Sequence, residues 1–175
     1  NQLTNNIVVS TVMSNYGFKQ AIEKFNFDLI ETPVGDKYVA EAMKKYDAAL
    51  GGEQSGHIII SDLLPVGDGL VTLIYVLKAM QHFGVALSDF KSENLYEYPQ
   101  KLTNLELKNK LNDEELEYIN QIALDMSIKK DLDGRYLIRN SGTEPLLRVL
   151  VEAKSNEAME DFSNELITKI NKYLN

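Results

Sequence analysis

Strand-like and helix-like segments alternate along the first half of the chain, and this alternation limits the fold more than any other feature. Ile7–Thr11 is a β-branched run, and Phe27–Ile30 is a second apolar run. The segment between them predicts a helix, with Ser14 as the expected N-cap. Its apolar residues occur at helical spacing: Phe18, Ala21, Ile22 and Phe25. The order strand, helix, strand is a β-α-β unit, so the sequence predicts an α/β domain.

The pattern continues toward residue 84. Thr32–Gly35 predicts a turn and Asp36 a helix cap, followed by a helical stripe of Val39, Ala42, Met43 and Tyr46. Short apolar runs at Ala48–Leu50 and Ile58–Ser61 flank a glycine-rich loop. A helix is then predicted after Gly67-Asp68-Gly69, ending near Gly84. Its expected buried face consists of Leu70, Leu73, Ile74, Leu77 and Met80.

The second half has a different pattern. Ser88–Pro99 is polar, contains proline and lacks periodicity, so we expect a domain boundary near Glu93, with domains at 1–92 and 93–175. The later segments predict a small α+β domain with an antiparallel sheet. Its expected elements are an extended stretch (Leu102–Leu107), a helix (Asp113–Ser127), two strands (Gly134–Ile138 and Leu146–Ala153) and a last helix capped by Ser155.

The connection between the two predicted strands is rich in hydrogen-bond donors. Arg139–Arg148 reads Arg-Asn-Ser-Gly-Thr-Glu-Pro-Leu-Leu-Arg, so backbone amides, hydroxyls and a guanidinium cluster at the end of a hairpin. Such a cluster suits a phosphate dianion. The candidate phosphate-binding residues are Arg139, Ser141, Gly142, Thr143 and Arg148. The alternative is an ordinary Ser-Gly turn with a solvated arginine.

The glycine-rich loop Gly51–His57 is the second candidate site. Glu53 and Ser55 project to the same side if the segment is extended, which places a carboxylate and a hydroxyl within reach of neighbouring sugar hydroxyls. His57 ends the loop, where a general acid or base could act. The alternatives are a turn with an exposed glutamate and a structural histidine.

Charge and composition exclude several classes of protein. The chain has 18 basic and 26 acidic residues, a net charge of −8, which argues against nucleic-acid or anionic-membrane surfaces. There is no cysteine, which excludes disulfides and thiolate metal sites and makes a cytoplasmic protein the expectation. No apolar run is long enough to span a membrane. The chain starts at Asn1, without an initiator methionine, and we interpret it as a fragment.

Four motifs carry a family resemblance. In order, they are Thr32–Tyr38, Gly52–His57, Gly67–Gly69 and Arg139–Pro145, and together they resemble the C-terminal half of the α-D-phosphohexomutases over essentially the whole chain. The resemblance implies the third of four domains (α/β/α) and then the fourth, a TATA-box-binding-protein-like α+β domain with helices on one face of an antiparallel sheet. Gln54 favours the bacterial branch that acts on glucosamine phosphates over the mannose and glucose phosphate branches.

The resemblance implies an isomerase of carbohydrate metabolism that moves a phosphoryl group within a hexose phosphate. A phosphoserine would give its phosphoryl group to glucosamine 6-phosphate, which forms a 1,6-bisphosphate. The other phosphate of this intermediate would then return to the serine, which leaves glucosamine 1-phosphate. Glu53 and Ser55 would hold the O3 and O4 hydroxyls, with Gly35 and Lys37 also at the sugar, while His57 would shuttle a proton. A phosphomannomutase or phosphoglucomutase, or a non-catalytic sugar-phosphate-binding module, remain alternatives.

Two residues depart from the family pattern, and two family loops have no counterpart. Asn140 stands where Pro is usual, which we expect to loosen the loop, and Lys37 replaces the commoner Arg. The nucleophilic serine loop and the aspartate-rich Mg²⁺ loop are missing, so no metal is expected in this chain. An N-terminal half would supply both loops and would be the chain's partner. The full-length protein could form a homodimer, while the fragment alone is expected to be inactive.

Overall fold

The computed structural model describes residues 5–174, except for the side chains of residues 92 and 93. The chain forms two compact units, of which the first ends at Glu97 and the second begins at Tyr98. This division lies beyond the boundary expected near Glu93, because the polar stretch there contains a helix, Leu87–Asn94, that lines a cavity of the first unit. Tyr98 belongs to the second unit, where its hydroxyl bonds to Asp133 Oδ1 at 3.1 Å.

The first unit has the predicted α/β architecture. Its elements in chain order are β1 (Ile7–Thr11), α1 (Tyr16–Lys24), β2 (Asp28–Thr32), α2 (Asp36–Tyr46), β3 (Leu50–Gly52), β4 (Ile58–Ile60), α3 (Gly69–Phe83) and α4 (Leu87–Asn94). The four strands are ordered β2-β1-β3-β4. Strand β1 is parallel to both neighbours, whereas β4 pairs antiparallel with β3 at the edge.

Helices cover both faces of this sheet. On one face, Val39 and Met43 of α2 form a buried cluster with Val9 of β1. A side chain at Gly51 would collide with Met43, so this glycine is needed for helix packing and not for approach of a ligand. On the other face, residues of α1, α3 and α4 line a cavity of about 490 Å³ against the strands. The first unit is therefore an α/β/α domain.

Helix α3 begins and ends as predicted but presents a different face to the sheet. Asp68 caps its start and Gly84 ends it in the left-handed conformation. Thr72 and Val76 face the cavity. Four residues that were expected to be buried are each more than half exposed: Leu70, Leu73, Ile74 and Leu77. The prediction was wrong because α3 is apolar around most of its circumference, so periodicity does not identify one face. Even so, no helix within residues 5–174 is long and apolar enough to cross a bilayer.

Two predicted helix caps are displaced by one residue. Asn15, not Ser14, caps α1, since its side chain accepts a hydrogen bond from Gly17 N at 3.0 Å. Ser14 is used elsewhere, because its hydroxyl bonds to that of Ser10. Helix α2 has Gly35 at its N-cap with φ 135°, and Asp36 is its first residue. A glycine serves there because that φ is rarely accessible to other residues.

The second unit is the predicted α+β domain. Its elements are β5 (Gln100–Glu106), α5 (Asp113–Lys129), β6 (Gly134–Asn140), β7 (Leu146–Ala153) and α6 (Asn156–Leu174). The antiparallel sheet has the order β5-β7-β6. Alternate residues of β7, beginning with Leu147, form one core with both helices, in which Ile119 and Phe162 are buried. Ser155 Oγ accepts from Ala158 N at 3.1 Å, which confirms the predicted cap of α6.

The opposite face of β7 is also covered at its C-terminal end. Leu150 is 2% exposed and Glu152 is 0% exposed. Glu152 pairs in register with Arg135 of β6, and its carboxylate accepts a charge-assisted hydrogen bond from Arg135 Nε. A buried carboxylate is costly without such a partner, so Arg135 compensates the charge of Glu152 within the second unit.

Candidate functional site

The candidate sugar site lies at one edge of the first sheet. Strands β1, β2 and β3 are parallel, so their carboxyl ends, Thr11, Thr32 and Gly52, share this edge. The loop that leads into α2 starts at this edge, and so does Glu53–His57, which is called the sugar loop below. Strands β2 and β3 lie on opposite sides of β1, so the strand order reverses direction there. Ligand sites of open α/β sheets occur at such a reversal, outside the carboxyl ends of the strands.

Glu53 and Gly35, both predicted site residues, are in direct contact. Glu53 Oε1 accepts a hydrogen bond from Gly35 N at 2.9 Å. Because Gly35 is the N-cap of α2, the carboxylate lies at the helix end that favours negative charge. Among the residues that the structure describes, Oε2 of Glu53 has no hydrogen bond, so this oxygen can accept one from a ligand hydroxyl.

Ser55 contacts His57. The sugar loop turns tightly, with a hydrogen bond from Gly56 N to Glu53 O at 3.0 Å and from Glu53 N to His57 O at 3.0 Å. The extended conformation that would align Glu53 with Ser55 is therefore not formed. Instead, Ser55 Oγ lies 3.1 Å from His57 Nδ1, and both side chains are exposed. This bond orients the imidazole and leaves Nε2 as the nitrogen that can exchange a proton with a ligand.

Lys37 is placed near this edge but is directed along its helix. Its ammonium lies 3.8 Å from Glu41 Oε1, an exposed pair one helical turn apart. Exposed pairs of this kind contribute little to stability, so the ammonium can leave Glu41 for an anionic ligand at small cost.

Buried hydroxyls that sequence reasoning missed hold the two loops of this edge. Ser10 Oγ bonds to Ser14 Oγ and donates to the carbonyl of Gly52 at 3.0 Å. Thr32 Oγ1 donates to the carbonyl of Pro33 at 3.0 Å. The available signal was a concentration of small hydroxyl residues at strand ends. These side chains fix the first residues of each loop, so they support the site from beneath.

The candidate phosphate site is in the second unit, around residues Ser141–Pro145, called the phosphate loop below. Arg139 of β6 and Arg148 of β7 are directly opposite each other, so their side chains project from the same face of the sheet. Burial lowers the pKa of the Arg139 guanidinium, and the charge of Arg148 lowers it further. Two cations in this arrangement repel each other, and a bound anion would relieve that repulsion.

Several donors of the phosphate loop have no acceptor. Ser141 is 2% exposed, yet its hydroxyl has no hydrogen-bond partner, and neither has the buried Nε of Arg148. Within residues 5–174, the amides of Gly142 and Thr143 also donate to no other group. Gly142 and Thr143 are exposed, so their amides are open to water. Buried polar groups are normally satisfied, so Ser141 Oγ and Arg148 Nε are the two donors here that lack an expected acceptor. Arg148 also forms an ion pair with Glu144, whose Oε2 lies 3.8 Å from Arg148 Nη2.

The hairpin thus brings together all five predicted phosphate-binding residues, but it also uses two residues that were not predicted to act there. Lys110 Nζ donates to the carbonyl of Gly142 at 2.5 Å. Asn140, which was expected to loosen the loop, instead forms two hydrogen bonds with the backbone of Leu111, at 2.9 and 3.3 Å. That expectation was wrong because a carboxamide can both donate and accept, whereas Pro can do neither with a side chain.

No group of three or more His, Asp or Glu side chains that could hold a metal ion occurs among the residues that the structure describes. The described residues therefore do not provide the aspartate-rich Mg²⁺ loop that the family resemblance implies. No chemical step is therefore assigned to a metal in this chain.

Two family models match the chain, one in each unit. Residues 1–98 match the phosphoglucomutase/phosphomannomutase α/β/α domain III. Residues 102–169 match the phosphoglucomutase/phosphomannomutase C-terminal domain. The two matched regions meet within a few residues of the division between the compact units.

Curated relatives are similar over nearly the whole chain. A phosphoglucosamine mutase of Streptococcus agalactiae is 47% identical over 161 residues, which cover 91% of this chain and 36% of the relative. A phosphoglucosamine mutase of Bacillus subtilis is 42% identical over 166 residues, 95% of this chain and 37% of the relative. The chain therefore spans a little over a third of the length of these relatives.

Solved structures share the fold at lower identity. An Aspergillus fumigatus N-acetylphosphoglucosamine mutase in complex with GlcNAc-6P and magnesium has a TM-score of 0.77 and 22% identity, covering 99% of this chain and 42% of that one. An N-acetylglucosamine-phosphate mutase in its substrate complex has a TM-score of 0.75 and 22% identity, covering 95% and 39%.

Proposed function

This chain belongs to the phosphoglucomutase/phosphomannomutase family, and we propose that it is the sugar- and phosphate-binding part of a phosphoglucosamine mutase. The similarity to enzymes of that name, 47% and 42% identical, supports glucosamine phosphate as the substrate. Gln54 of the sugar loop agrees with that branch of the family. The whole protein would interconvert glucosamine 6-phosphate and glucosamine 1-phosphate.

The observation that carries the proposal is the pair Arg139 and Arg148 beside donors that have no acceptor. A phosphate dianion would accept from both guanidinium groups, from Ser141 Oγ and from the amides of Gly142 and Thr143. The backbone that carries the two arginines is held by the β6–β7 hairpin, in which Arg139 pairs in register with Arg148, before any ligand arrives. Such preorganisation gives binding energy and a defined phosphate position, which a reaction with two phosphate positions requires.

The sugar loop would bind hydroxyl groups of the hexose. Glu53 has one carboxylate oxygen held by Gly35 and the other available as an acceptor, so a sugar hydroxyl can donate to it in a fixed direction. Ser55 would contact a neighbouring hydroxyl, and Lys37 would add a positive charge. His57, oriented through Nδ1, would accept and return a hydroxyl proton at Nε2.

The rest of the reaction would need a longer protein. The relatives extend well beyond the matched region, since this chain covers 36% of the first of them. We assign the phosphoserine and a Mg²⁺ ion, which would offset charge on the transferring phosphoryl group, to that additional part. The exposed stripe of α3, from Leu70 to Leu77, fits this assignment, because a helix with such a face is normally covered.

Titration of the chain by isothermal calorimetry would test the proposal. We expect glucosamine 6-phosphate to bind with a Kd on the order of 1 mM, because only part of the enclosing surface is present. Tighter binding of mannose 6-phosphate or glucose 6-phosphate would favour another branch of the family. Failure to bind any hexose phosphate or inorganic phosphate would contradict the proposal.

A further inference from the structure

We propose that residues Leu107–Asn112, called the brace segment below, position the phosphate loop for its anion, and that Lys110 is the positioning residue. The inference rests on the proposed function, because it concerns how the same loop presents its donors. Lys110 lies between β5 and α5, outside the β6–β7 hairpin that carries the five predicted phosphate-binding residues.

Two residues of the brace segment, Leu107 at its start and Lys110 in its middle, are hydrogen-bonded to the phosphate loop. Leu107 N donates to the carbonyl of Pro145 at 2.9 Å, at the last residue of the loop. Lys110 Nζ donates to the carbonyl of Gly142 at 2.5 Å, near its tip. The two contacts join the tip and the last residue of the loop to one short segment.

Asn140 attaches the brace segment at a third point. Its Nδ2 donates to the carbonyl of Leu111 at 2.9 Å, and its Oδ1 accepts from Leu111 N at 3.3 Å. Both backbone groups of Leu111 are thereby held by one side chain at the end of β6. The neighbouring Lys110 is thus fixed in the chain next to the loop, which reduces the freedom that a long side chain on a flexible segment would have.

Lys110 affects one donor of the site, the Thr143 N–H, through the peptide unit that joins Gly142 to Thr143. The carbonyl of Gly142 and the N–H of Thr143 belong to the same planar group, and the described chain has no cis peptide bond. In a trans peptide these two bonds point to opposite sides, so a cation on the oxygen fixes the N–H on the side away from Lys110. The same cation draws electron density toward the oxygen, which makes the N–H a stronger donor.

The Thr143 amide has no acceptor within residues 5–174 and Thr143 is exposed, so this amide is open to water or to a ligand. A purely structural role would need only that the loop stays folded. The proposed role predicts, in addition, that removing the Lys110 charge changes the Thr143 amide itself. These two consequences can be measured separately.

The test uses the 175-residue chain, with inorganic phosphate as the probe and ¹⁵N-resolved NMR as the readout. We expect Lys110→Met to shift the Thr143 amide resonance before phosphate is added, and to weaken phosphate binding about fivefold, the effect of losing one ordinary hydrogen bond. Lys110→Arg should restore most of the affinity. Lys108→Met removes another exposed lysine of the same segment and should behave as the unmodified chain.

Three outcomes are informative. If Lys110→Met leaves both the Thr143 resonance and the phosphate affinity unchanged, the inference is overturned, while loss of binding in Arg139→Ala would keep the proposed function. If affinity falls equally in the Lys108 and Lys110 variants, the effect is general electrostatics and the inference is also overturned. If the unmodified chain binds no phosphate, the proposed function fails and this inference fails with it. Lys110→Gln replaces Lys110→Met if the latter unfolds.

Discussion

Arg139 and Arg148 face each other across strands β6 and β7, with the unsatisfied hydroxyl of Ser141 at the end of the same hairpin. Like charges directly opposite in a sheet destabilise it, and the pKa of Arg139 is lowered by burial first and then by the charge of Arg148. A fold that keeps such a pair carries a local instability in the absence of an anion. This relationship links stability and binding in the second unit, and the first prediction follows from it.

Arg139→Ala is expected to weaken inorganic phosphate binding at least tenfold without lowering the melting temperature of the unliganded chain. The substitution removes a charge-assisted donor but also relieves repulsion of Arg148. Arg139→Lys should recover only part of the affinity because the two-pronged geometry is lost. Calorimetric titration and a thermal melt of each variant give the two quantities. A folded Arg139→Ala chain with unchanged affinity would show that the hairpin is only a turn.

Glu53→Gln is expected to weaken glucosamine 6-phosphate binding while leaving inorganic phosphate binding unchanged. The carboxamide oxygen can still accept from Gly35 N, so the loop keeps its anchor, while an NH2 group replaces the charged oxygen that would accept from the sugar. A hydrogen bond to a charged acceptor contributes about 1.5–3 kcal/mol, which corresponds to a tenfold or larger effect. Glu23→Gln, which makes the same change at an exposed residue of α1, is the matched control. Equal losses for both ligands would contradict the assignment of Glu53 to the sugar.

The extent to which sequence anticipated the structure differs between elements. The strand Ile7–Thr11 and the helices α5 and α6 were predictable, because burial on one side of an element gives its sequence a regular period. The exposed face of α3 was not, because its apolar residues surround the helix. At the phosphate loop, local composition indicated the donors, but nothing local connects Lys110 or Leu111 to residues about 30 positions later. Contacts of that kind depend on tertiary structure alone.

Arg135→Met is expected to destabilise the second unit by about 3 kcal/mol or more, because it leaves the carboxylate of Glu152 buried without its cation. The double variant Arg135→Met/Glu152→Met should recover much of this loss, since replacing a whole buried pair by apolar residues is often neutral. Urea unfolding monitored by circular dichroism measures both. A single variant as stable as the unmodified chain would show that the pair is not required.

Asp133 is expected to make the second unit sensitive to acid. Lys154, at 3.1 Å, and the Tyr98 hydroxyl hydrogen-bond its carboxylate and lower its pKa below the ordinary value of 3.8. A carboxyl whose pKa is lowered by folding contributes stability above its unfolded value, and this contribution is lost as the pH falls through the folded value. Asp133→Asn should therefore flatten the decline in melting temperature below about pH 4. An unchanged acid profile would contradict the role of Asp133.

The last prediction is that the 175-residue chain does not catalyse mutase turnover by itself, although it binds phosphosugar. Transfer of a phosphoryl group between two positions of a sugar needs a covalent carrier and charge stabilisation on the moving group. The motifs found here supply positioning through the phosphate loop and the sugar loop, and the side chains described form no metal-binding cluster. A coupled assay for glucosamine 1-phosphate, with Mg²⁺ and 1,6-bisphosphate activator, would compare this chain with a full-length phosphoglucosamine mutase at equal concentration. We expect no turnover above background from the chain, and Arg139→Ala introduced into the full-length enzyme at the matching position should reduce its rate. Turnover by the chain near the full-length rate would show that its own residues carry the phosphoryl group, and the assignment of that step to another part of the protein would be wrong.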